Sequence, residues 1–408
     1  MTPAEITAML GLRLPDRDPV RRRLARCHDI GDLRAVAAAR TPRAVFDYVD
    51  GGADQESTLR RNEQAFRRAE FTARNLVDVS AVSTSGELLG RSISFPLVLA
   101  PTGYSRIMHP AGELAVARAA RSAGIPYTLS TVGSTSIEDV AATGHPDPWF
   151  QLYMWRDRGF VAELLRRAEA TGYGTLVVSI DVPVSGHRLR DSHNGLTIPP
   201  RLTPRAIAGI ARHFTYWTGM VRAPAVTFAS APPGLGGAGA TVQSIGAQFD
   251  PSLSWDDITW VRERWGRTLV VKGPLSPAES VRARSAGADG VQLSNHGGRQ
   301  LDRLAPPIFG VRAVRDAVGP EALVLVDSGV RHGMDIAVAV AQGADAAAAG
   351  RAYLYGLMAA GERGVEHALT ILDAEFRRTM QLLGVRTVDE LRTAGPELVR
   401  LQARRTAT

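Results

Sequence analysis

The sequence is poor in several features whose scarcity narrows what the protein can be. Cys27 is the single cysteine among 408 residues, so no disulfide can form within the chain. Scarce cysteine fits a reducing compartment. No uncharged apolar run reaches the roughly 20 residues that a membrane-spanning helix needs, because Asp345 and Arg351 interrupt the nearest candidate, residues 344–361. The N-terminus lacks the apolar segment of a secretory signal. We therefore expect a cytoplasmic protein.

Lysine is almost absent as well. Lys272 is the only lysine among 48 basic residues, and all the others are arginine. The compact ammonium of lysine and the planar guanidinium of arginine bind different partners. A single lysine in such a sequence indicates a position where arginine would not serve. The formal net charge is +7, but apart from an N-terminal cluster the arginines are scattered and no nucleic-acid-binding motif accompanies them. We therefore expect no nucleic-acid partner.

Eight short apolar runs alternate with helix-like patterns in the rest of the chain. Most of these runs are continuously apolar, as expected for parallel strands that are covered on both faces. The runs span residues 93–100, 127–131, 149–154, 175–180, 268–271, 290–294, 322–326 and 346–349. Eight successive strand–helix units predict an α/β fold, and the alanine-rich last run favours a closed (β/α)₈ TIM barrel over an open sheet.

The pattern also predicts how the chain is divided. Residues 1–90 are expected to form a helical extension packed on the barrel, residues 91–390 the barrel, and residues 391–408 a C-terminal tail. A loop over residues 185–249, which includes a glycine-rich run at 234–239, follows the fourth strand. It is far longer than the usual ~2–6 residues, so we expect it to form a lid or a binding surface.

Polar residues and glycines follow the strands, at the end where barrels of this kind place their active sites. The candidates in or after the first four runs are Thr102, Gly103, Ser130, Gln151, Tyr153, Ser179, Asp181 and Arg188. Those after the last two runs are Asp327, Gly329, Arg331, Gly350 and Arg351. Glycines allow backbone N–H groups to approach an anion, and arginines supply charge, so the second group predicts a phosphate site.

The segment after the sixth run carries the most reactive side chains. His296 is a candidate base because histidine titrates near neutral pH. Arg299 is suited to grip a carboxylate with two parallel hydrogen bonds. Asp181 is suited to hold the imidazole and to stabilise its charged form. This group predicts proton abstraction from a substrate that carries a carboxylate.

At these residues the chain resembles the FMN-dependent family that oxidises 2-hydroxy acids, which includes glycolate oxidases, L-lactate dehydrogenases and mandelate dehydrogenases. The resemblance extends from about residue 29 to residue 390 and includes every position of the signature Ser294-Asn295-His296-Gly297-Gly298-Arg299-Gln300-Leu301-Asp302. The other shared motifs lie at residues 46–48, 100–103, 151–153, 181–183, 271–273 and 350–351.

The resemblance implies oxidation of an L-2-hydroxy acid to the 2-oxo acid with FMN as cofactor and without a metal. Lactate, giving pyruvate, is the default substrate. The implied catalytic residues are His296 as base, Asp181 as its support, Lys272 as the cation that stabilises reduced FMN, Tyr153 and Arg299. The implied substrate-binding residues are Tyr48, Tyr153, Arg188, Arg299 and His296. The implied FMN-binding residues are Thr102, Gly103, Ser130, Gln151, Ser179, Lys272, Asp327, Gly329, Arg331, Gly350 and Arg351. The usual assembly of the family is a homotetramer.

The bacterial L-lactate dehydrogenases are the most similar subgroup, because they share residues 50–53 and 155–158 and a long loop after strand four. Val132 stands where glycolate oxidases carry a bulky aromatic residue, and His187 stands where lactate enzymes have a small one. A larger aryl or pathway-specific 2-hydroxy acid therefore stays open as the substrate. Gly103 replaces an alanine of many oxidases near the flavin, so oxygen, a quinone and a carrier protein all stay open as electron acceptor.

Two further alternatives remain. The long loop contains an aromatic and apolar group with flanking arginines: Arg212, Phe214, Tyr216, Trp217, Met220, Val221 and Arg222. These residues suit a lid, which we expect, or a peripheral contact with the inner face of the membrane. A non-redox phosphate-binding barrel enzyme, such as an isomerase or lyase, is the other alternative, and it predicts a colourless protein.

Overall fold

The computed structural model describes residue 2 and residues 16–194, 213–230 and 248–402 of the chain. The described part before the barrel contains four helices and three short strands. They are α1 (Pro19–Leu24), α2 (Ile30–Arg40), α3 (Arg43–Asp50), α4 (Ser57–Phe66), β1 (Ala69–Phe71), β2 (Gly86–Leu88) and β3 (Arg91–Ile93). The carboxylates of Asp18 and Asp29 accept hydrogen bonds from the first turns of α1 and α2, which explains where these helices begin.

Eight parallel strands then form a closed barrel in chain order, with the last strand paired to the first. The strands are β4 (Leu97–Leu99), β5 (Tyr127–Ser130), β6 (Pro148–Tyr153), β7 (Thr175–Ser179), β8 (Thr268–Gly273), β9 (Gly290–Leu293), β10 (Leu323–Val326) and β11 (Ala346–Ala349). Closure is seen in the register, in which Ala347 and Ala349 of β11 lie opposite Leu97 and Leu99 of β4. The predicted (β/α)₈ barrel is therefore confirmed.

One strand boundary was predicted wrongly. The run at 93–100 is not a single strand, because β3 ends at Ile93 in an antiparallel pair with β2, and the barrel strand begins only at Leu97. Pro96 precedes Leu97, and proline has no N–H to donate to a strand ladder. The apolar run thus serves two separate sheets.

Helices surround the barrel and alternate with its strands, as the sequence pattern predicts. They are α5 (Ser105–Met108), α6 (Gly112–Ala123), α7 (Ile137–Ala141), α8 (Arg158–Ala170), α9 (Leu189–Asn194), α10 (Phe214–Arg222), α11 (Trp255–Arg262), α12 (Pro277–Ser285), α13 (Val311–Val318), α14 (Gly333–Ala341), α15 (Arg351–Ala360), α16 (Glu362–Leu383) and α17 (Val388–Leu398). Short 3₁₀ turns occur at His296–Gly298 and Pro307–Gly310. A final strand, β12 (Val399–Leu401), pairs antiparallel with β1 and joins the end of the described chain to the segment that precedes the barrel.

The barrel interior is filled by side chains of unequal size. Trp149 of β6 is fully buried there with Val177 and Val270, while β11 contributes the small residues Ala346 and Ala348. Large residues on one side and alanines on the other thus share the interior of the closed barrel. Within the described residues, no helix combines the length and the apolar character needed to cross a membrane.

The long loop is described in two parts. In the second part, helix α10 approaches the barrel, and the Tyr216 hydroxyl donates to the carbonyl oxygen of Ile107 at 2.5 Å. Phe228 packs edge-on against Tyr104, with ring centroids 4.4 Å apart. The glycine-rich run at 234–239 and Arg212 lie outside the described residues. The described part of the loop thus lies over the segment that follows the first barrel strand.

Candidate active site

A cavity lies at the carboxyl ends of the barrel strands, with an empty volume of about 1210 Å³ that includes space open to solvent. Most of the predicted site residues line it: Tyr48, Thr102, Gly103, Tyr153, Arg188, Lys272, His296, Arg299, Asp327, Gly329, Arg331, Gly350 and Arg351. Four predicted residues, Ser130, Gln151, Ser179 and Asp181, are not on the cavity wall. The site draws on the strand ends, on α3 and on the start of the long loop.

His296 occupies a strained turn directly after β9. Its φ is +59°, and Gly297 and Gly298 follow with φ of +63° and +73°, so three successive residues adopt the left-handed conformation. The hydroxyl of Ser294 accepts from the His296 N–H at 3.0 Å, which helps to hold the turn. A histidine held in this conformation is costly and is characteristic of functional sites. The turn directs the imidazole into the cavity.

Each nitrogen of the His296 ring has a partner. Nδ1 lies 3.1 Å from Asp181 Oδ2, and Nε2 lies 3.3 Å from the hydroxyl of Tyr153. Burial lowers the pKa of His296 below its ordinary value, Asp181 opposes this effect, and Lys272 and Arg299 add to it. Burial also disfavours the charged form of Asp181, but His296 and Lys272 hold its pKa below the ordinary value. The pair is therefore an ionised carboxylate beside a neutral imidazole at neutral pH.

Two arginines face the ring of Tyr48. The guanidinium carbon of Arg299 lies 4.9 Å from the ring centroid, and that of Arg188 lies 5.6 Å from it. Arg299 also donates to the carbonyl oxygens of Tyr48 at 2.5 Å and Gly51 at 3.1 Å, while Arg188 pairs with Asp191 at 2.8 Å. Burial and the charge of Arg188 lower the pKa of Arg299. Two neighbouring cations on the cavity wall favour an anionic ligand.

Lys272, the only lysine of the chain, ends β8 inside the cavity. It is 4% exposed. Its Nζ lies 3.9 Å from Asp327 Oδ2, beyond hydrogen-bond distance. That carboxylate is already bonded by Gln292 at 2.7 Å and by Ser328 at 2.6 Å. The ammonium thus retains donors for a ligand, and Asp327 does not depend on it for hydrogen bonds.

Three of the predicted residues that are not on the wall form a buried chain of hydrogen bonds. Ser130 donates to the side-chain oxygen of Gln151 at 3.0 Å, and the amide nitrogen of Gln151 donates to the Ser179 hydroxyl at 3.1 Å. The three residues end or occupy neighbouring strands β5, β6 and β7. The structure therefore brings them together next to the cavity wall rather than on it.

The part of the cavity wall that follows β10 and β11 has the features of an anion site. Helix α15 begins directly after Gly350, so its first N–H groups lack partners within the helix and carry partial positive charge. Gly329 has φ of +119°, and a Cβ there would lie 2.6 Å from the carbonyl oxygen of Asn62, so a side chain would not fit. Arg331 pairs with Glu63 at 3.0 Å. Glycine, helix terminus and arginine together suit a phosphate.

Arg351, in this part of the wall, is held by backbone carbonyls. Its guanidinium donates to the carbonyl oxygens of Val49 at 2.8 Å, Gly297 at 2.9 Å and Gly51 at 2.7 Å. Burial, with the charge of Arg299, lowers the pKa of Arg351 to about 10. The side chain therefore joins the histidine turn to the end of α3 while its charge faces the cavity.

Sequence reasoning missed Glu113, which organises two loops of the site. This fully buried carboxylate on α6 accepts from the N–H of Ser105 at 3.1 Å and of Ser134 at 2.8 Å, and from the hydroxyl of Thr135 at 2.9 Å. Its partners follow β4 and β5 and adjoin Gly103 and Val132 on the cavity wall. An acidic residue in the first turn of an apolar helix was the only signal in the sequence. An exposed carboxylate that merely interacts with the helix dipole would give the same signal.

Comparison with known proteins gives a consistent result. A family model described as FMN-dependent dehydrogenase matches residues 37–398. A Mycobacterium tuberculosis protein named "Putative L-lactate dehydrogenase" is 44% identical over 388 residues, which cover 95% of this chain and 93% of that protein. An L-lactate dehydrogenase of Xanthomonas euvesicatoria is 41% identical over 366 residues, which cover 88% of this chain and 94% of that protein.

Solved structures are similar over nearly the whole chain. The crystal structure of the monotopic membrane protein (S)-mandelate dehydrogenase superposes with a TM-score of 0.87 at 38% identity, covering 92% of this chain and all of that one. A mandelate oxidase mutant with (S)-mandelic acid gives a TM-score of 0.78 at 37% identity, covering 92% of this chain and 99% of that one.

Proposed function

The chain belongs to the FMN-dependent dehydrogenase family, and on this premise we propose how its cavity carries out the FMN-dependent oxidation of a 2-hydroxy acid. The observation that carries the proposal is the position of His296. Its ring lies between Asp181 and the Tyr153 hydroxyl, in one cavity with two arginines and the buried Lys272. A base, an anion site and a fixed cation in one cavity suit removal of two protons and two electrons from a carboxylate-bearing substrate.

The residues of the cavity fit FMN. The phosphate would be held by Arg331, Arg351, Gly329 and Gly350 at the start of α15. The ribityl chain and ring would contact Thr102, Gly103, Asp327 and Lys272, with Ser130, Gln151 and Ser179 behind them. When bound, FMN would supply the acceptor for the two electrons of the hydroxy acid together with one of its two protons, and His296 would take the other. Lys272 supplies a fixed positive charge where negative charge develops on electron acceptance.

The substrate carboxylate would be held by Arg299 and Arg188. A carboxylate between them relieves the repulsion of the two guanidinium groups and forms charge-assisted hydrogen bonds. Tyr48 fixes both arginines through its ring, which lies within 6 Å of each guanidinium carbon. This anchoring leaves the hydroxyl-bearing carbon near His296 and Tyr153.

His296 would accept a proton from the hydroxy acid at Nε2. Its lowered pKa keeps the imidazole neutral and ready to accept, and Asp181 at Nδ1 fixes the tautomer and stabilises the imidazolium that forms. Tyr153 donates a hydrogen bond from its hydroxyl toward the same side of the cavity. Burial keeps that phenol protonated, because it raises the pKa of Tyr153 above its ordinary value.

We propose the L enantiomer of lactate as the default substrate. A larger aryl 2-hydroxy acid is the second candidate, favoured by Val132, whose small side chain lines the cavity wall. The structural neighbours named for mandelate support the same alternative. Anaerobic reduction of the enzyme-bound flavin by L-lactate and by L-mandelate at several concentrations would rank the two. The preferred acid gives the higher second-order rate constant for flavin reduction at low concentration.

We propose that the long loop forms a lid over the cavity, with a peripheral membrane contact as the alternative. The part of the loop at 213–230 contacts the segment after β4 through Tyr216 and Phe228, which supports a lid. The exposed side chains of Phe214 and Val221 on α10 support the alternative, a peripheral membrane contact, and a neighbouring structure is named as monotopic.

Four copies of the chain are the expected assembly. Oxygen, a quinone or a carrier protein would reoxidise the enzyme.

A test of the base is His296→Gln. The variant should still bind FMN, because the His296 ring bonds to Asp181 and Tyr153 and not to the residues that suit the phosphate, but its flavin should not be reduced by the hydroxy acid. A photochemical reduction of the same sample serves as control for a functional flavin. Rapid bleaching of the variant by substrate would refute the role of His296.

A further inference from the structure

A group of charged and polar residues beside the cavity joins the long loop to the segment that precedes the barrel. Arg190 of α9 contacts three carboxylates: its Nη1 lies 3.0 Å from Asp50 and 3.4 Å from Asp47, and its Nη2 lies 2.5 Å from Glu56. Asn194, in the same helix, donates to Asp47 at 2.8 Å. We call these five residues the α9 clamp.

The clamp joins the two segments whose side chains face each other at the substrate end of the cavity. Arg188 directly precedes α9, and Tyr48 belongs to α3, the helix that also carries Asp47 and Asp50. The Arg188 guanidinium carbon lies 5.6 Å from the Tyr48 ring centroid. Because Arg190 lies two residues from Arg188 and binds carboxylates on either side of Tyr48 in sequence, it sets the distance between these two segments.

Gly51 is shaped to let Arg190 reach its partners. A Cβ at this position would lie 3.2 Å from Arg190 Cδ and 2.7 Å from the carbonyl oxygen of Asp47, so a side chain would displace the arginine stem. The carbonyl oxygen of Gly51 accepts from Arg299 at 3.1 Å and from Arg351 at 2.7 Å. One peptide turn thus contacts the clamp on one side and two arginines of the cavity on the other.

Helix α9 depends on contacts of this kind. It has six residues and none is buried, and helices of that length are not stable alone. Burial disfavours the charged form of Asp50, but Arg34, Tyr355 and Arg190 hold its pKa below the ordinary value. A buried ionised carboxylate binds its arginine partners through strong, charge-assisted hydrogen bonds. The position of α9, and with it that of Arg188, therefore depends on the clamp and on the hydrogen bond from the Asp54 N–H to the carbonyl oxygen of His187 at 2.8 Å, rather than on apolar packing.

We propose that Arg190 is a positioning residue for substrate binding, which holds α9 against α3 so that Arg188 faces the cavity beside Tyr48. The inference rests on the proposed role of Arg188 and Tyr48 at the substrate. Arg190 is not on the cavity wall and does not contact His296. Its loss should therefore weaken binding of the hydroxy acid much more than it slows the chemical step.

The test compares Arg190→Gln with a matched control, Arg43→Gln, in the FMN-loaded protein. Arg43 also pairs with Asp47, at 3.3 Å, but its side chain is 88% exposed against 35% for Arg190. Arg190→Gln should raise KM for the L-2-hydroxy acid about tenfold and change kcat by less than about threefold. Hydrogen exchange of the amides of residues 187–194 should become faster. Arg190→Lys should have a KM between those of Arg190→Gln and the unmodified protein. Arg43→Gln should have the KM, the kcat and the exchange rates of the unmodified protein.

Unchanged exchange in Arg190→Gln would overturn the proposal, and so would faster exchange with an unchanged KM. If that variant does not fold, Asn194→Ala gives the same test, with a smaller effect in the same direction because one neutral hydrogen bond is removed. If the unmodified protein oxidises no 2-hydroxy acid, the function proposed above is wrong. The exchange of residues 187–194 then decides by itself whether the clamp holds α9.

Discussion

At the scale of single residues, burial and nearby charge determine which groups carry protons in the cavity. Burial lowers the pKa of His296. Asp181 raises it, but the pKa stays below the ordinary value. A neutral imidazole is the form that accepts a proton, so its fraction stays high at neutral pH. The catalytic competence of the site should therefore extend below the ordinary pKa of histidine, ~6.5, before protonation removes it.

The pair makes a signed prediction for Asp181→Asn. Removal of the carboxylate removes the charge that raises the pKa of His296, so that pKa falls further. The acid limb of kcat/KM should therefore move to lower pH, while the plateau falls because the imidazolium is no longer stabilised. A pH profile of flavin reduction measures both effects. A limb that moves to higher pH would show that Asp181 does not act on His296 electrostatically.

Lys272 is predicted to act on electron transfer rather than on stability. Lys272→Met keeps the stem but removes the ammonium, and Asp327 retains its hydrogen bonds from Gln292 and Ser328. The rate of flavin reduction should fall by about 10²–10³-fold, as for the loss of other fixed groups that stabilise developing charge. The denaturation midpoint should change little. Normal turnover would remove Lys272 from the mechanism.

At the scale of elements, the site is assembled by loops that lock against one another after neighbouring strands. Gly103 follows β4, and a Cβ there would lie 2.6 Å from Val132 Cγ2, in the segment that follows β5. Glu113 holds the same two segments from α6 through Ser105 and Ser134. The cavity wall at this point is thus determined by small residues and a buried carboxylate.

The contact between the two loops predicts an effect on stability. Gly103→Ala should destabilise the protein by about 1–3 kcal/mol, because the β-branched Val132 has little freedom to move aside. The double variant Gly103→Ala/Val132→Ala should recover most of that loss. Gly86→Ala is the control, since its Cβ would meet only Val388 at an ordinary 3.8 Å. Urea denaturation of the four proteins measures the effect, and equal midpoints for Gly103→Ala and Gly86→Ala would contradict it.

The sequence predicted the elements far better than the contacts between them. Continuous apolar runs marked all eight barrel strands, and only the first was misplaced, where Pro96 divides one run between two sheets. Contacts distant in the chain left no pattern to read. Arg190 meets Asp50 across 140 positions, and Asn62 exchanges hydrogen bonds with Asn295 across 233 positions. Such partners are set by the folded barrel rather than by local periodicity. The domain boundaries and the individual residue roles stay predictions.

At the scale of the whole molecule, closure of the barrel gathers residues from the entire chain into one cavity. Tyr48 comes from the segment before the barrel, Arg188 from the long loop, and His296 from the turn that follows the sixth barrel strand. The expected assembly of four copies adds a testable property, because the chain mass is 43.7 kDa. Sedimentation equilibrium of the FMN-loaded protein should give four times that mass, and a monomer mass would contradict the prediction.

The most direct test of the central claim is the anaerobic visible spectrum of the purified protein, recorded before and after separate additions of L-lactate, D-lactate and L-mandelate. The account predicts a flavin spectrum that is bleached by an L-2-hydroxy acid and unchanged by D-lactate. Bleaching by L-mandelate alone would select the larger substrate. A colourless protein that does not take up FMN, or a flavin that no 2-hydroxy acid bleaches, would contradict the account.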